Sequence, residues 1–271
     1  MIIHIIIKHF IPNVMLQHMQ TGLFAYLCTN LTRAIMGNEY FKFKKFTINQ
    51  DKCAMKVGTD GVLLGAWTNT EEASKIADIG TGTGLIAIML AQKCNATITG
   101  IEIDEEAAAQ AEENMNNTLW KDRLNVVKAD INEYFQNHNA EYDLIVSNPP
   151  FFNEKTKGFS EKRNIARHTD GLCFSHLART VSFMLKDKGR FCVILPATSA
   201  MDFISEAIKN NLSLTKKTEV ITKPGAAPKR VLMEFKKDCR NNITIISQLL
   251  LSENGVRSKE YDDLTSDFYL W

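Results

Sequence analysis

The sequence predicts an α/β protein built on a doubly wound, mostly parallel sheet of about seven strands. Two observations carry this. From Lys75 onward, short apolar runs of strand length alternate with longer amphipathic runs of helix length, the order expected of successive βαβ units. Turn-forming clusters then sit where the strands end, at Gly80-Thr81-Gly82-Thr83-Gly84 and at Asn148-Pro149-Pro150.

In order, strands are expected near 75–79, 96–101, 124–128, 142–146, 190–195, 214–221 and 231–236, and helices near 84–93, 105–116, 172–186 and 199–210. Upstream, Phe41 to Ile48 reads as one strand, with Phe41, Phe43, Phe46 and Ile48 interleaved with Lys42, Lys44 and Lys45. Lys56 to Gly61 reads as a turn, and Val62 to Trp67 as a short helix capped by Thr59 or Asp60. Residues 153–168 form a polar segment too long for a simple connector.

Composition narrows the class further. With 271 residues, 45% of them hydrophobic and 23% charged, the chain can bury one large core. A net charge of +1 neither requires nor forbids a nucleic-acid partner, so local clusters decide. The six cysteines form no CxxC pair and have no histidines at zinc spacing, as expected for reduced thiols in a cytoplasmic protein without a metal site. No stretch reaches the roughly 18 apolar residues of a membrane span. Residues 1–35 show no sustained period, and Met36 opens a segment that reads like a protein start. The expectation is an upstream or disordered extension over 1–35 and a single domain over 36–271; a native mass that includes 1–35 would overturn the first part.

The chemistry concentrates at strand ends, where open α/β sheets bind ligands. Asp78-Ile79-Gly80-Thr81-Gly82-Thr83-Gly84 joins a strand to a helix, and its glycines admit a ligand close to the backbone. A dinucleotide fingerprint would need glycine where Leu85 stands, whereas acid-x-Gly-x-Gly-x-Gly is the form found in S-adenosylmethionine sites. Glu102, about 20 residues on, closes the next strand where a carboxylate can accept from both ribose hydroxyls; Asp104 is its competitor. Asp130 closes the third strand, either as an acceptor for the cofactor's adenine amine or as the N-cap of a short helix. Thr59 and Asp60 either cover the methionine moiety or cap a helix.

Asn148-Pro149-Pro150-Phe151 follows the strand 142–146. Two prolines end both helix and inner strand, so the segment is a rigid turn. It presents an Asn side chain, a Pro carbonyl and an aromatic face together. A planar exocyclic amine, such as adenine N6, requires two acceptors and a ring to stack on. A purely structural turn is the alternative. The basic residues Lys155, Lys157, Lys162, Arg163 and Arg167 follow closely and are phosphate-contact candidates, as are Lys42, Lys44 and Lys45, although a solvated face explains any one of them equally well. His168, beside Arg167, receives no chemical role.

Taken together, Phe43–Gln50, Met55–Trp67, Asp78–Gly84 and Asn148–Phe151 resemble the bacterial tRNA1(Val) adenine-N6 methyltransferase family. The similarity runs from about Tyr40 to the aromatic tail Tyr261–Trp271. The glycine loop and NPPF are shared by many class I amino-methyltransferases, and Met55–Trp67 is the specific block. The resemblance implies a Rossmann-like fold, S-adenosylmethionine as cofactor, tRNA as partner with no obligatory protein partner, and methyl transfer to the adenosine just 3′ of the anticodon. Two rival readings stay open: an amino-methyltransferase acting on a protein glutamine or on rRNA guanine N2, and a S-adenosylmethionine-binding module without turnover.

Overall fold

In the computed structural model, residues 38–53, 55–150, 173–239 and 243–270 are described. The chain divides into two units, Met1–Glu39 and Tyr40–Trp271, and the fold below is that of the second.

A hairpin opens it: β1 (Tyr40–Lys42) pairs antiparallel with β2 (Thr47–Asn49). The single strand expected over 41–48 is therefore two short ones. The chain reverses at Phe43–Phe46, where Phe43 donates its amide to Phe46 O. The central sheet has eight strands: β3 (Lys75–Ile79), β4 (Thr97–Glu102), β5 (Leu124–Lys128), β6 (Tyr142–Ser147), β7 (Leu185–Pro196), β8 (Leu212–Ile221), β9 (Arg230–Lys237) and β10 (Ile245–Leu250). Their order is β10-β8-β9-β7-β6-β3-β4-β5, with β9 antiparallel to both neighbours and every other pair parallel. A small ribbon, β11 (Ser252–Glu253) and β12 (Val256–Arg257), follows.

The eighth strand, β10, exceeds the seven expected. It lies at the sheet edge with Ile245 and Ile246 exposed, so its sequence lacks the clean two-face pattern of an inner strand. β7 also starts earlier than expected: Leu185 pairs with Tyr142 instead of extending the preceding helix.

Seven α-helices complete the described unit: α1 (Thr59–Trp67), α2 (Leu85–Lys93), α3 (Glu105–Asn116), α4 (Ile131–Tyr134), α5 (Phe174–Met184), α6 (Ala200–Lys209) and α7 (Lys259–Thr265). α1 begins at Thr59 with Gly58 as N-cap and no capping side chain, so neither Thr59 nor Asp60 is the cap that the sequence suggests.

The inner strands bury both faces, which is why their sequences read as continuous apolar runs. On one face, Ile76, Ile98, Leu144 and Val146 meet α1, α2, Phe43, Phe46, Ile48 and the C-terminal Tyr261, Phe268 and Tyr269. On the other, Ala77, Ile145, Phe191 and Phe235 meet Leu177, Val181 and Phe203 of α5 and α6. The hairpin phenylalanines are thus core residues: Phe43 stacks on Tyr269 with ring centroids 5.8 Å apart, and Lys44 donates its amide to Phe268 O. The interleaving that looks like an aromatic nucleic-acid face is a packed one. Lys42 and Lys45 remain exposed, and Lys44 Nζ donates to Ser266 O at 2.6 Å. No described helix is long and apolar enough to cross a membrane, and Cys53, Cys94, Cys173, Cys192 and Cys239 are free thiols.

Candidate active site at the carboxyl ends of the parallel strands

Register builds the site. Ile79 pairs with Ser147 on one side and with Ile101 on the other, and Glu102 pairs with Lys128. The residues that follow these pairs emerge side by side: Asn148 from β6, Gly80 from β3, Glu102 from β4 and Asp130 just past β5. Four positions that lie between Gly80 and Asn148 in sequence share one edge because parallel strands present all their carboxyl ends together.

The glycine loop is pinned from below. Gly80 and Thr81 donate their amides to Ile101 O, and Gly84 donates to Thr81 O. Asp78 is completely buried; its Oδ2 accepts from Thr81 Oγ1 at 2.7 Å and from the Ala87 amide at 3.2 Å, which ties the loop to the first turn of α2. Asp78 therefore lies beneath the cradle as its anchor. Burial pushes its carboxyl up to about 7, outweighing the lowering by those two hydrogen bonds. Its other oxygen, Oδ1, is buried with no partner among the described residues. The stability Asp78 contributes is thus fully present below its unfolded value of 3.8 and is lost as pH rises through about 7. Asp78→Asn should flatten the fall in melting temperature as pH rises from 3.8 to about 7; an unchanged pH profile would contradict this account of the carboxylate.

Glu102 faces the loop from the adjacent strand. Its Oε2 accepts from the Gly82 amide at 2.9 Å, and its Oε1 accepts from the amides of Ile103 and Asp104. Oε2 keeps a lone pair for a further donor. Asp104 is occupied otherwise: it is the N-cap of α3 and accepts from the Ala107 amide at 2.8 Å. Glu102→Ala should weaken cofactor binding by about 1.5–3 kcal/mol, the scale of a hydrogen bond to a charged group. Asp104→Ala should cost about 1 kcal/mol of stability instead, as a lost cap does. Titration calorimetry on both variants checks the assignment, and a larger affinity loss in Asp104→Ala would reverse it.

Asp130 caps α4: its Oδ1 accepts from the amide and the side chain of Asn132 at 2.8 and 2.9 Å. The capping alternative raised by the sequence is realised. Asp60 is likewise committed, because its Oδ2 accepts from Arg230 Nε at 2.7 Å, joining the first turn of α1 to the start of β9. Thr59 is exposed beside it.

At the end of β6, Ser147 Oγ donates to Ile79 O at 2.9 Å, locking the NPP turn to the strand that carries the glycine loop. Asn148 Oδ1 is buried and has no hydrogen-bond partner among the described residues, while Pro149 is buried and Pro150 exposed. An acceptor held out of water without a donor carries a penalty of about 1–3 kcal/mol, which an incoming N–H removes. Phe151, Lys155, Lys157, Lys162, Arg163, Arg167 and His168 lie outside the described residues.

Several bracing residues were not evident from the sequence. Asn114, buried on α3, donates to Asn49 O and Thr83 O and accepts from the Asn49 amide, clamping the hairpin to the loop. Gln110, one turn earlier, accepts from the Lys52 amide. The one available signal was two amides at helical spacing among the alanines of an otherwise apolar face. Arg230 lies 170 residues from its partner Asp60 and offered no signal at all.

A doubly wound sheet with this loop, carboxylate and turn on one edge is the class I methyltransferase fold. Residues 55–173 match the model of the methyltransferase small domain. The chain belongs to the tRNA1(Val) (adenine(37)-N6)-methyltransferase family. A member from Bacteroides fragilis strain YCH46 is 46% identical over 241 residues, covering 87% of this chain and 99% of its own. One from Trichodesmium erythraeum is 43% identical with the same coverage. Among solved structures, a predicted O-methyltransferase from Agrobacterium tumefaciens shares the fold with a TM-score of 0.64 at 22% identity, over 77% of this chain and 96% of that one.

Proposed function

We infer that this chain transfers a methyl group from S-adenosylmethionine to N6 of the adenosine at position 37 of tRNA1(Val), in the cytoplasm where tRNA is found. The observation that carries the reading is the buried Asn148 Oδ1, without a partner among the described residues and held beside a glycine cradle, in a chain 46% identical to relatives of that name.

The cradle fits the cofactor. A Cβ added at Gly80 or Gly82 meets no heavy atom within 4 Å, so the backbone there faces open space. Gly80 and Gly82 would hold the methionine moiety by close backbone approach, Glu102 the ribose hydroxyls, and Asp130, through the oxygen not used in capping, the adenine amine. Gly84, expected from the sequence to join them, packs against α3 instead, since a Cβ there would meet Met115 and Ala111 at 3.3–3.5 Å. Thr59 and Asp60, at the start of α1, are candidates to cover the methionine moiety, and Asp78 fixes the loop from beneath. When bound, S-adenosylmethionine supplies an electrophilic methyl on its sulfonium sulfur.

The acceptor nitrogen needs activation, because the N6 lone pair is delocalised into the purine ring. Asn148 Oδ1 and the Pro149 carbonyl accept its two hydrogens, drawing N6 toward tetrahedral geometry and freeing the lone pair. Phe151 stacks on the extruded base. Positioning supplies most of the rate, and the spare proton leaves to water without a strong base. Lys42, Lys45, Lys162, Arg163 and Arg167 are candidate phosphate contacts, with Lys44 already engaged by Ser266.

The test is transfer of labelled methyl from S-adenosylmethionine to purified tRNA, rRNA and protein, with mass spectrometry of tRNA nucleosides from a deletion strain. N6-methyladenosine at position 37 should disappear from tRNA1(Val) in that strain. Label only in protein or rRNA overturns the substrate, and no transfer to any of the three favours the non-catalytic binding module.

A further inference from the structure

The turn between β8 and β9, residues 222–229, stands at the same sheet edge as the catalytic turn. β8 ends there and β9 begins there, because β9 runs antiparallel to β7 and pairs Arg230 with Pro196 at the carboxyl end of β7. Only β7 separates β9 from β6, so the turn lies about 10 Å, two strand spacings, from the strand that presents Asn148.

The turn is rigid. Pro224 and Pro228 fix their own backbone angles, Gly225 supplies the left-handed step at φ 76°, and Ala226 donates its amide to Lys223 O. Its base is stitched to three neighbours: Lys229 donates its amide to Val220 O, Lys229 O accepts from the Ala197 amide, and Thr222 O accepts from Ser252 Oγ at 2.7 Å. Arg230 then carries the link to Asp60 on α1.

On this frame Lys223 and Lys229 are exposed, and neither makes an ion pair among the described residues. Two unpaired ammonium groups on a stiff turn have no evident packing duty. A stiff backbone fixes where both side chains begin, so only their own rotamer freedom is lost on meeting a phosphate.

We propose that Lys223 and Lys229 on the β8–β9 turn contact RNA phosphates and form one wall of the substrate entrance, on the β7 side of the catalytic turn. The proposal rests on the tRNA reading above and adds two lysines distinct in sequence from the basic residues 155–167. Phosphate contacts place the target strand over β6 while carrying no sequence information, so their loss weakens every RNA substrate alike.

The experiment compares the wild type with Lys223→Gln/Lys229→Gln and with Lys223→Arg/Lys229→Arg, using the full chain and purified tRNA. In the Gln pair, the slope of log kcat/KM against log salt should become shallower by about one per lysine. KM for tRNA should rise on the order of tenfold at about 0.1 M salt, with kcat at saturating tRNA and affinity for S-adenosylmethionine unchanged. The Arg pair should behave as wild type, which a role in folding alone would not require. An unchanged salt slope in a Gln variant with wild-type circular dichroism overturns the proposal and leaves the tRNA reading standing. A wild type that methylates no RNA overturns both.

Discussion

Gly82→Val should yield a folded protein that no longer binds S-adenosylmethionine. Gly82 adopts φ 55°, in the left-handed region, and a Cβ there meets nothing within 4 Å. The added side chain would therefore disturb no packing, but it would occupy the cradle itself. The branched residue also disfavours that backbone conformation, by roughly 1–2 kcal/mol, which would shift the loop that Glu102 holds through the Gly82 amide. Gly100→Val offers the contrast: its Cβ would meet Thr81 at 2.8–3.0 Å under the loop, so stability and binding should fall together. Calorimetry and thermal melting on both variants separate the two cases. Unchanged cofactor affinity in a folded Gly82→Val would remove the cradle from the site.

The legible parts of this fold are those where a single local rule acts. β3 and α3 have the very bounds their patterns predict, because an inner strand buried on both faces and an alanine-rich helix with an acidic first turn leave little ambiguity; β5, a half-buried edge strand, also has the expected bounds. The shared edge of Gly80, Glu102 and Asn148 was legible for a topological reason: parallel strands with crossover helices must end on the same side. Where two rules compete, the sequence misleads. Phe41 to Ile48 alternates as a strand does, but Phe43 and Phe46 both turn inward to stack 4.6 Å apart, and the chain reverses between them. Asp130 satisfies the pattern of a ligand acceptor and of an N-cap equally well, and the cap claims one of its oxygens. Asp60 and Arg230 show the third limit, since contacts between distant segments leave no periodic trace in either.

The largest kinetic effect is expected from Asn148→Ala: a fall in kcat on tRNA of about 10²–10³, the loss seen when one oriented polar group is removed from a developing charge. On the proposed mechanism the loss belongs to the transition state. Asn148 Oδ1 is buried without a donor among the described residues, and Ser147 fixes the NPP turn to Ile79 O, so on this reading the acceptor is aligned before substrate arrives. Its hydrogen bond strengthens as N6 becomes tetrahedral and cationic, which lowers kcat and kcat/KM together when the group is deleted. Affinity for S-adenosylmethionine should stay near wild type, because the cradle on β3 and β4 is untouched. Phe151→Ala should differ in kind. Stacking holds the base before transfer as well as during it, so KM for tRNA should rise with a smaller loss of kcat, the stack being worth about 1–3 kcal/mol. Phe151→Tyr keeps the ring face and should be nearly silent. Single-turnover and steady-state assays on the three variants test the set. Wild-type kcat in Asn148→Ala would reduce the NPP turn to a structural corner and end the mechanism built on it.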